Sequence, residues 1–97
     1  MTDLNEVILP RLIGSRQAAR RLLVAEAPLA GQTVVLNARE LRSASPSAAD
    51  EFVRVSLVEG DAQALEVVGG TPDFNRDLEA SAQAHGVLSQ LHELSPS

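Results

Sequence analysis

The densest grouping of side chains that could do chemistry is the hydroxyls of Ser45 and Ser47 followed by the carboxylates of Asp50 and Glu51. An apolar run, Val34-Val35-Leu36, and a polar turn precede them, and Ala49, Phe52, Val53 and Leu57 follow at helical spacing. This order describes a buried strand that ends in a loop and feeds the N-terminus of a helix. The unpaired N–H groups and partial positive charge of a helix N-terminus favour an anion, so a serine there is well placed to carry a phosphate. Either Ser45 or Ser47 can serve as the N-cap. Ser45 would put Pro46 at the favoured first helical position, whereas Ser47 would pair with Asp50 in a shortened capping box.

Other chemistries find less support. Ser47 with Asp50 lacks a general base placed by sequence and the glycine pattern of a nucleophile elbow, which argues against a hydrolase. His85 and His92, with Glu93 nearby, do not complete a recognisable metal-ligand set and read as surface histidines. Gly69-Gly70-Thr71 precedes a helix but lacks both the Walker lysine and the dinucleotide glycine spacing, so a tight turn accounts for it. No enzyme activity and no cofactor are expected.

The elements that must position these groups can be taken in order. Residues 1–6 are polar and read as a flexible N-terminus. Val7-Ile8-Leu9 has strand character, and Leu12-Ile13 extends it past Pro10, a residue suited to an edge strand. Ser15 caps a helix with Ala18, Ala19, Leu22 and Leu23 on one side, its end marked by Pro28 and Gly31. Gln32 to Leu36 lacks polar alternation and reads as a strand covered on both faces or central in its sheet. The helix after Pro46 stops at Gly60-Asp61, and Ala64 to Val68 forms a further strand. Thr71-Pro72-Asp73 starts a helix with a Phe74, Leu78, Ala82 stripe that ends at Gly86. Val87, Leu88, Leu91 and Leu94 suggest a short last amphipathic helix, with a last strand as the alternative. Residues 7–94 then make one domain and residues 95–97 a tail. Strands alternating with helices predict an α/β fold, a small mostly parallel sheet of three to four strands with helices packed on it.

Composition narrows the function classes. The chain's 97 residues fit one core, and with only 2% aromatic residues, Phe52 and Phe74, that core must be aliphatic. The same scarcity argues against base-stacking nucleic-acid platforms. A net charge of −5 repels phosphate backbones and anionic membranes, so neither nucleic acid nor membrane is an expected partner. Arg11, Arg16, Arg20 and Arg21 cluster early and read as a solvated helix face. The absence of cysteine removes disulfides and thiolate chemistry. No early apolar run is long enough for a signal peptide or a membrane span, which places the protein in the cytoplasm.

With these residues in view, the sequence resembles the STAS superfamily, the fold of anti-sigma-factor antagonists. Val34-Val35-Leu36-Asn37, Leu41 and Ser45-Pro46-Ser47-Ala48 lie where that family has a strand, a hydrophobic spacer and an Asp-Ser-Ser/Thr-Gly start to its second helix. Leu65-Glu66-Val67-Val68-Gly69, Thr71-Pro72 to Leu78 and His85-Gly86-Val87-Leu88 resemble its later elements. Ile13 to Leu22, with Ser47-Ala48-Ala49-Asp50-Glu51-Phe52, is similar to a STAS-like branch of uncharacterised bacterial proteins. The resemblance covers roughly residues 7–94. Ser45 stands where the antagonists have aspartate, Pro46 where they have the first serine and Ala48 where they have glycine.

The resemblance implies a β-α-β-α-β-α order and a regulatory interaction domain that acts in signalling and transcription regulation. Ser47 matches the serine that a partner kinase phosphorylates. The implied partner is an anti-sigma factor or a kinase-like ATPase, docked through Arg42, Ser43, Ser45, Pro46, Ser47, Ala48, Asp50 and Glu51. A competing expectation is a structural or scaffold subunit of the same fold, such as a homodimer, without phospho-control and with the serine as a plain helix cap.

Overall fold

A computed structural model describes residues 4–26 and 28–94. The expected C-terminal tail and the first three residues of the expected flexible N-terminus lie outside them. Residues 4–6 do not: Leu4–Ile8 forms the first strand, β1. Leu12–Ile13 (β2), the helix Arg16–Val24 (α1), Thr33–Asn37 (β3) and Ser43–Ala44 (β4) follow. The helix Pro46–Val53 (α2) continues as a π-helical turn over Arg54–Glu59. Ala64–Val68 (β5), the helix Pro72–Ala84 (α3), a 3₁₀ turn at Leu88–Gln90 and Leu91–Leu94 (β6) complete the chain.

Four strands form one parallel sheet in the order β1-β3-β5-β6, giving the expected α/β architecture. Each successive long strand is added on the same side of the last, and crossovers between parallel strands are right-handed, so all three helices lie on a single face. Burial shows the result. Val34, Leu36, Leu65 and Val67 point into the helical layer and are at most 1% exposed, while their neighbours Val35, Glu66 and Val68 are only partly covered. β3 is thus central in the sheet, with one face sealed and the other open.

The helices close the core with few large side chains. Ala19 and Leu23 of α1, Ala48, Ala49, Phe52 and Val53 of α2, and Phe74, Leu78 and Ala82 of α3 are buried. The alanines let the helices approach closely, and the two phenylalanines meet edge to face at 6.0 Å across α2 and α3. Truncating either ring to alanine would cost about 3 to 5 kcal/mol.

Two elements differ from the sequence reading. Leu12–Ile13 does not prolong β1; it forms its own two-stranded parallel sheet with Ser43–Ala44. Pro10 supplies no N–H for a continued ladder, and the chain leaves the main sheet there. The last element is a strand and not a helix: Gly86, at φ +74°, ends α3, and Leu91–Leu94 pairs with the backbone of Leu65–Val68. That pairing satisfies the edge of β5, which four residues of isolated helix would leave bare.

The π-helical continuation of α2 ends where the sequence indicates, but by another device. Asp61 takes the left-handed conformation, at φ +54°, while Gly60 remains right-handed. Glycine is needed at position 60 because a Cβ there would lie 2.5 Å from the carbonyl oxygen of Val55.

Candidate functional site

The loop that leads into α2 is clasped to the chain segment after β1. The carbonyl of Arg11 accepts the N–H groups of both Arg42 and Ser43, at 2.8 and 3.1 Å, and that of Ile13 accepts the N–H of Ser45 at 2.9 Å. Short as it is, the β2–β4 sheet therefore fixes the start of α2 against the body of the protein.

Ser45 is the N-cap. Its Oγ accepts the N–H of Ala48 at 3.1 Å, its backbone is extended, and Pro46 occupies the first turn where no N–H is required. Ser47 is left exposed on that turn, free of the capping role. Arg42, Ser43 and Pro46 are exposed beside it, and Ser45 is half-buried.

Two of the expected contact residues face inward. Ala48 is fully buried and Glu51 is 1% exposed, so neither contributes to the accessible surface. The helical period explains both: positions 48 and 51 share the face that carries Ala49, Phe52 and Val53 toward the core. Asp50 is partly covered and is already committed to neighbouring helices, so the shortened capping box with Ser47 is not formed.

The carboxylates of α2 instead organise a charge network across all three helices. Glu51 receives Arg16 and Arg20 from α1 at 2.8 and 3.0 Å, and Arg54 at 2.7 Å. Arg20 and Arg54 also reach Glu59, at the end of the π-helical turn. Asp50 receives Arg16 at 2.7 Å, the Ser81 hydroxyl at 2.7 Å and Nε2 of His85 at 3.1 Å. Burial pushes the Asp50 carboxyl up, but hydrogen bonds from Ser81, Arg16 and His85 outweigh it and hold the group at about 2. Glu51 is likewise held below the usual carboxylate range, its burial outweighed by the guanidinium groups of Arg16, Arg54 and Arg20.

Serine, histidine and aspartate thus meet, but not in the order catalysis needs. Both Ser81 and His85 bond the same atom, Oδ1 of Asp50. The serine proton is directed to the carboxylate and the hydroxyl is buried, so the histidine does not stand as base to a nucleophile. The arrangement ties α3 to α2. Arg16 and Arg20 accordingly belong to interhelical ion pairs and not to a purely solvated face. The signal was present as basic residues four apart on one helix and acidic ones on the next, but pairing between helices is not readable without their relative placement.

At the other glycine-rich turn, Gly69 adopts φ +76°, and a Cβ on Gly70 would lie 2.2 Å from Oδ1 of Asn75. The Asn75 side chain therefore packs directly against the bare Gly70. Thr71 caps α3 by accepting the N–H of Phe74 at 3.1 Å. His92 lies on the exposed last strand, and no cluster of three or more metal-ligating side chains occurs among the described residues. No helix among them is long and apolar enough to cross a membrane.

Comparison with family models, with curated proteins and with solved structures found no match.

Proposed function

We propose that this chain is a non-enzymatic regulatory domain, cytoplasmic, that docks a protein partner through the loop Arg42 to Ser47 and the first turn of α2, with Ser47 as phosphoacceptor. The observation that supports this reading most directly is the division of labour between the two serines: Ser45 caps the helix at 3.1 Å, so the exposed Ser47 hydroxyl serves no structural need there. A phosphate on Ser47 would add about −1.5 to −2 charge next to the positive end of α2, where the helix tolerates it. Its effect would therefore fall on whatever is docked to the loop. The resemblance to the antagonists makes an anti-sigma factor or a kinase-like ATPase the partner to seek.

The test compares proteins that co-purify with wild type, Ser47→Ala and Ser47→Asp from the native host, together with the phosphorylation state of Ser47. A defined partner retained by Ser47→Ala and released by Ser47→Asp supports the reading. Identical partners at equal strength on both variants would overturn the phospho-control.

A second reading, a homo-oligomeric scaffold without phospho-control, draws on exposed apolar side chains of the edge strand β1 and of β2, which follows it. Leu12, Ile8 and Leu4 are 69%, 64% and 52% exposed. The mass from light scattering separates the two: a monomer at high concentration speaks against the scaffold.

A further inference from the structure

Eight arginines carry all of the chain's Lys and Arg charge, against thirteen acidic residues. Arg16, Arg20, Arg54 and Arg76 each pair with at least one carboxylate. Arg11, Arg21, Arg39 and Arg42 are exposed and form no salt bridge among the described residues.

Three of these four arise at one place. Ile8, Asn37 and Val68 stand in register at the carboxyl ends of β1, β3 and β5, so the segments that leave these strands emerge side by side. Arg11 and Arg39 lie on the first two of those segments, and the turn Ala38 to Leu41 carries the chain to Arg42. The backbone of Arg42 is held directly against Arg11, whose carbonyl accepts the Arg42 N–H at 2.8 Å. Arg39 is positioned by Gly69 of the third segment: a Cβ there would lie only 3.0 Å from Cγ of Arg39, so the arginine stem passes over the bare glycine. Glu40 is the one acidic residue within this turn, and it is exposed. The three arginines rest on fixed backbone and lead directly through Ser43 and Ala44 to Ser47.

We propose that Arg11, Arg39 and Arg42 form a basic docking surface for an acidic segment of the partner protein, and that phosphorylation of Ser47 weakens docking by cancelling this surface's charge. The proposal rests on the reading of the Ser47 loop as the docking site and names the chemistry of what docks. Guanidinium groups recognise carboxylates through paired, directional hydrogen bonds, which makes an acidic peptide the matching ligand. A phosphate a few residues away brings negative charge to the same edge of the molecule, an effect that salt screens over roughly 8 Å at physiological ionic strength. The chain's overall charge of −5 disfavours nucleic acid as the occupant.

The test is a titration of the full isotope-labelled chain with a glutamate-rich peptide, followed by amide NMR shifts at low and physiological salt, with a lysine-rich peptide and a single-stranded oligodeoxynucleotide as comparisons. The expected result is saturable shifts confined to Arg11, Arg39 and the stretch from Arg42 to Ser47, weakening with salt. The double variant Arg39→Gln, Arg42→Gln should lose roughly tenfold in affinity, and Arg39→Lys, Arg42→Lys should recover part of it. Ser47→Asp should also weaken the peptide. Diffuse shifts, affinity unchanged in the double glutamine variant, or equal binding of the oligonucleotide at the same residues would overturn the docking surface. Peptide binding that needs the arginines but ignores Ser47→Asp would overturn the charge-cancelling switch alone. Loss of the native partner on Ser47→Asp without any peptide binding would leave the docking loop standing and remove this surface from it.

Discussion

Arg16 of α1 bridges two successive carboxylates of α2, reaching Asp50 at 2.7 Å and Glu51 at 2.8 Å through the same nitrogen. The side chain of Glu51 is 1% exposed while that of Arg16 is 42% exposed, so the pair joins a buried anion to a cation still in contact with water. The carboxylate depends on its partners, whereas the guanidinium has solvent as an alternative.

Removing Arg16 should therefore cost more than an ordinary surface ion pair, but less than breaking a fully buried one. Arg20 and Arg54 continue to satisfy Glu51, and solvent screens the site. We expect Arg16→Ala to lower stability by clearly more than the loss of an exposed ion pair does. Arg76→Ala, which breaks only the exposed pair with Asp73, should change it by less than about 0.5 kcal/mol. Urea midpoints of the two variants check the contrast, and equal losses would show that burial of Glu51 does not set the cost.

Ser45 and Ser47 should separate in the same assay. Ser45→Ala removes the acceptor for the Ala48 N–H and should destabilise by about 1 kcal/mol. Ser47→Ala should lie within about 0.5 kcal/mol of wild type, because its hydroxyl is exposed and does not cap. A larger loss at Ser47 than at Ser45 would reverse the assignment of the cap.

This pair of serines also shows how far the sequence could be read. The sequence narrowed the cap to Ser45 or Ser47, since cap chemistry is local and involves neighbours in the chain, and the structure selects Ser45, with Pro46 in the first turn. The direction of Asp50 was not legible, because its partners Arg16, Ser81 and His85 are more than thirty residues away. For the same reason β3 and β5 were recognisable from apolar runs, while β6 was not. Leu91–Leu94 carries no alternation that separates strand from helix, and what decides is the open edge of β5. Ala48 and Glu51 were misplaced on the surface because a loop-wide list ignores helical phase, which turns both toward the core.

The carboxyls of the protein should make its stability depend on pH in two windows of opposite sign. Asp50 is held at about 2, below its ordinary 3.8, so its contribution is present above pH 3.8 and is lost as pH falls toward 2. Glu93 is raised from 4.5 to about 7 by its hydrogen bond with Glu79, by burial and by the Glu79 charge. Its protonated form favours the folded state, so that contribution is complete below pH 4.5 and disappears as pH rises through 7. Wild type should thus lose stability between pH 5 and 8, and Glu79→Gln, which removes the neighbouring charge, should reduce that loss, a comparison made by urea unfolding across that range.

Ser56 offers a test in the stabilising direction. It is 0% exposed, lies in the π-helical turn that follows α2, and its hydroxyl has no hydrogen-bond partner among the described residues. The widened turn brings Arg54 and Glu59, five residues apart, into an ion pair, but it supplies no acceptor to the serine on its inner side. A buried polar group without a partner carries its desolvation cost in full, and alanine fits the same space with one fewer atom. Ser56→Ala is therefore expected to raise stability by about 1 kcal/mol, read as a higher urea midpoint at unchanged slope. A fall in the midpoint would mean that the hydroxyl is satisfied in solution and that the turn is more tightly bonded than its geometry indicates.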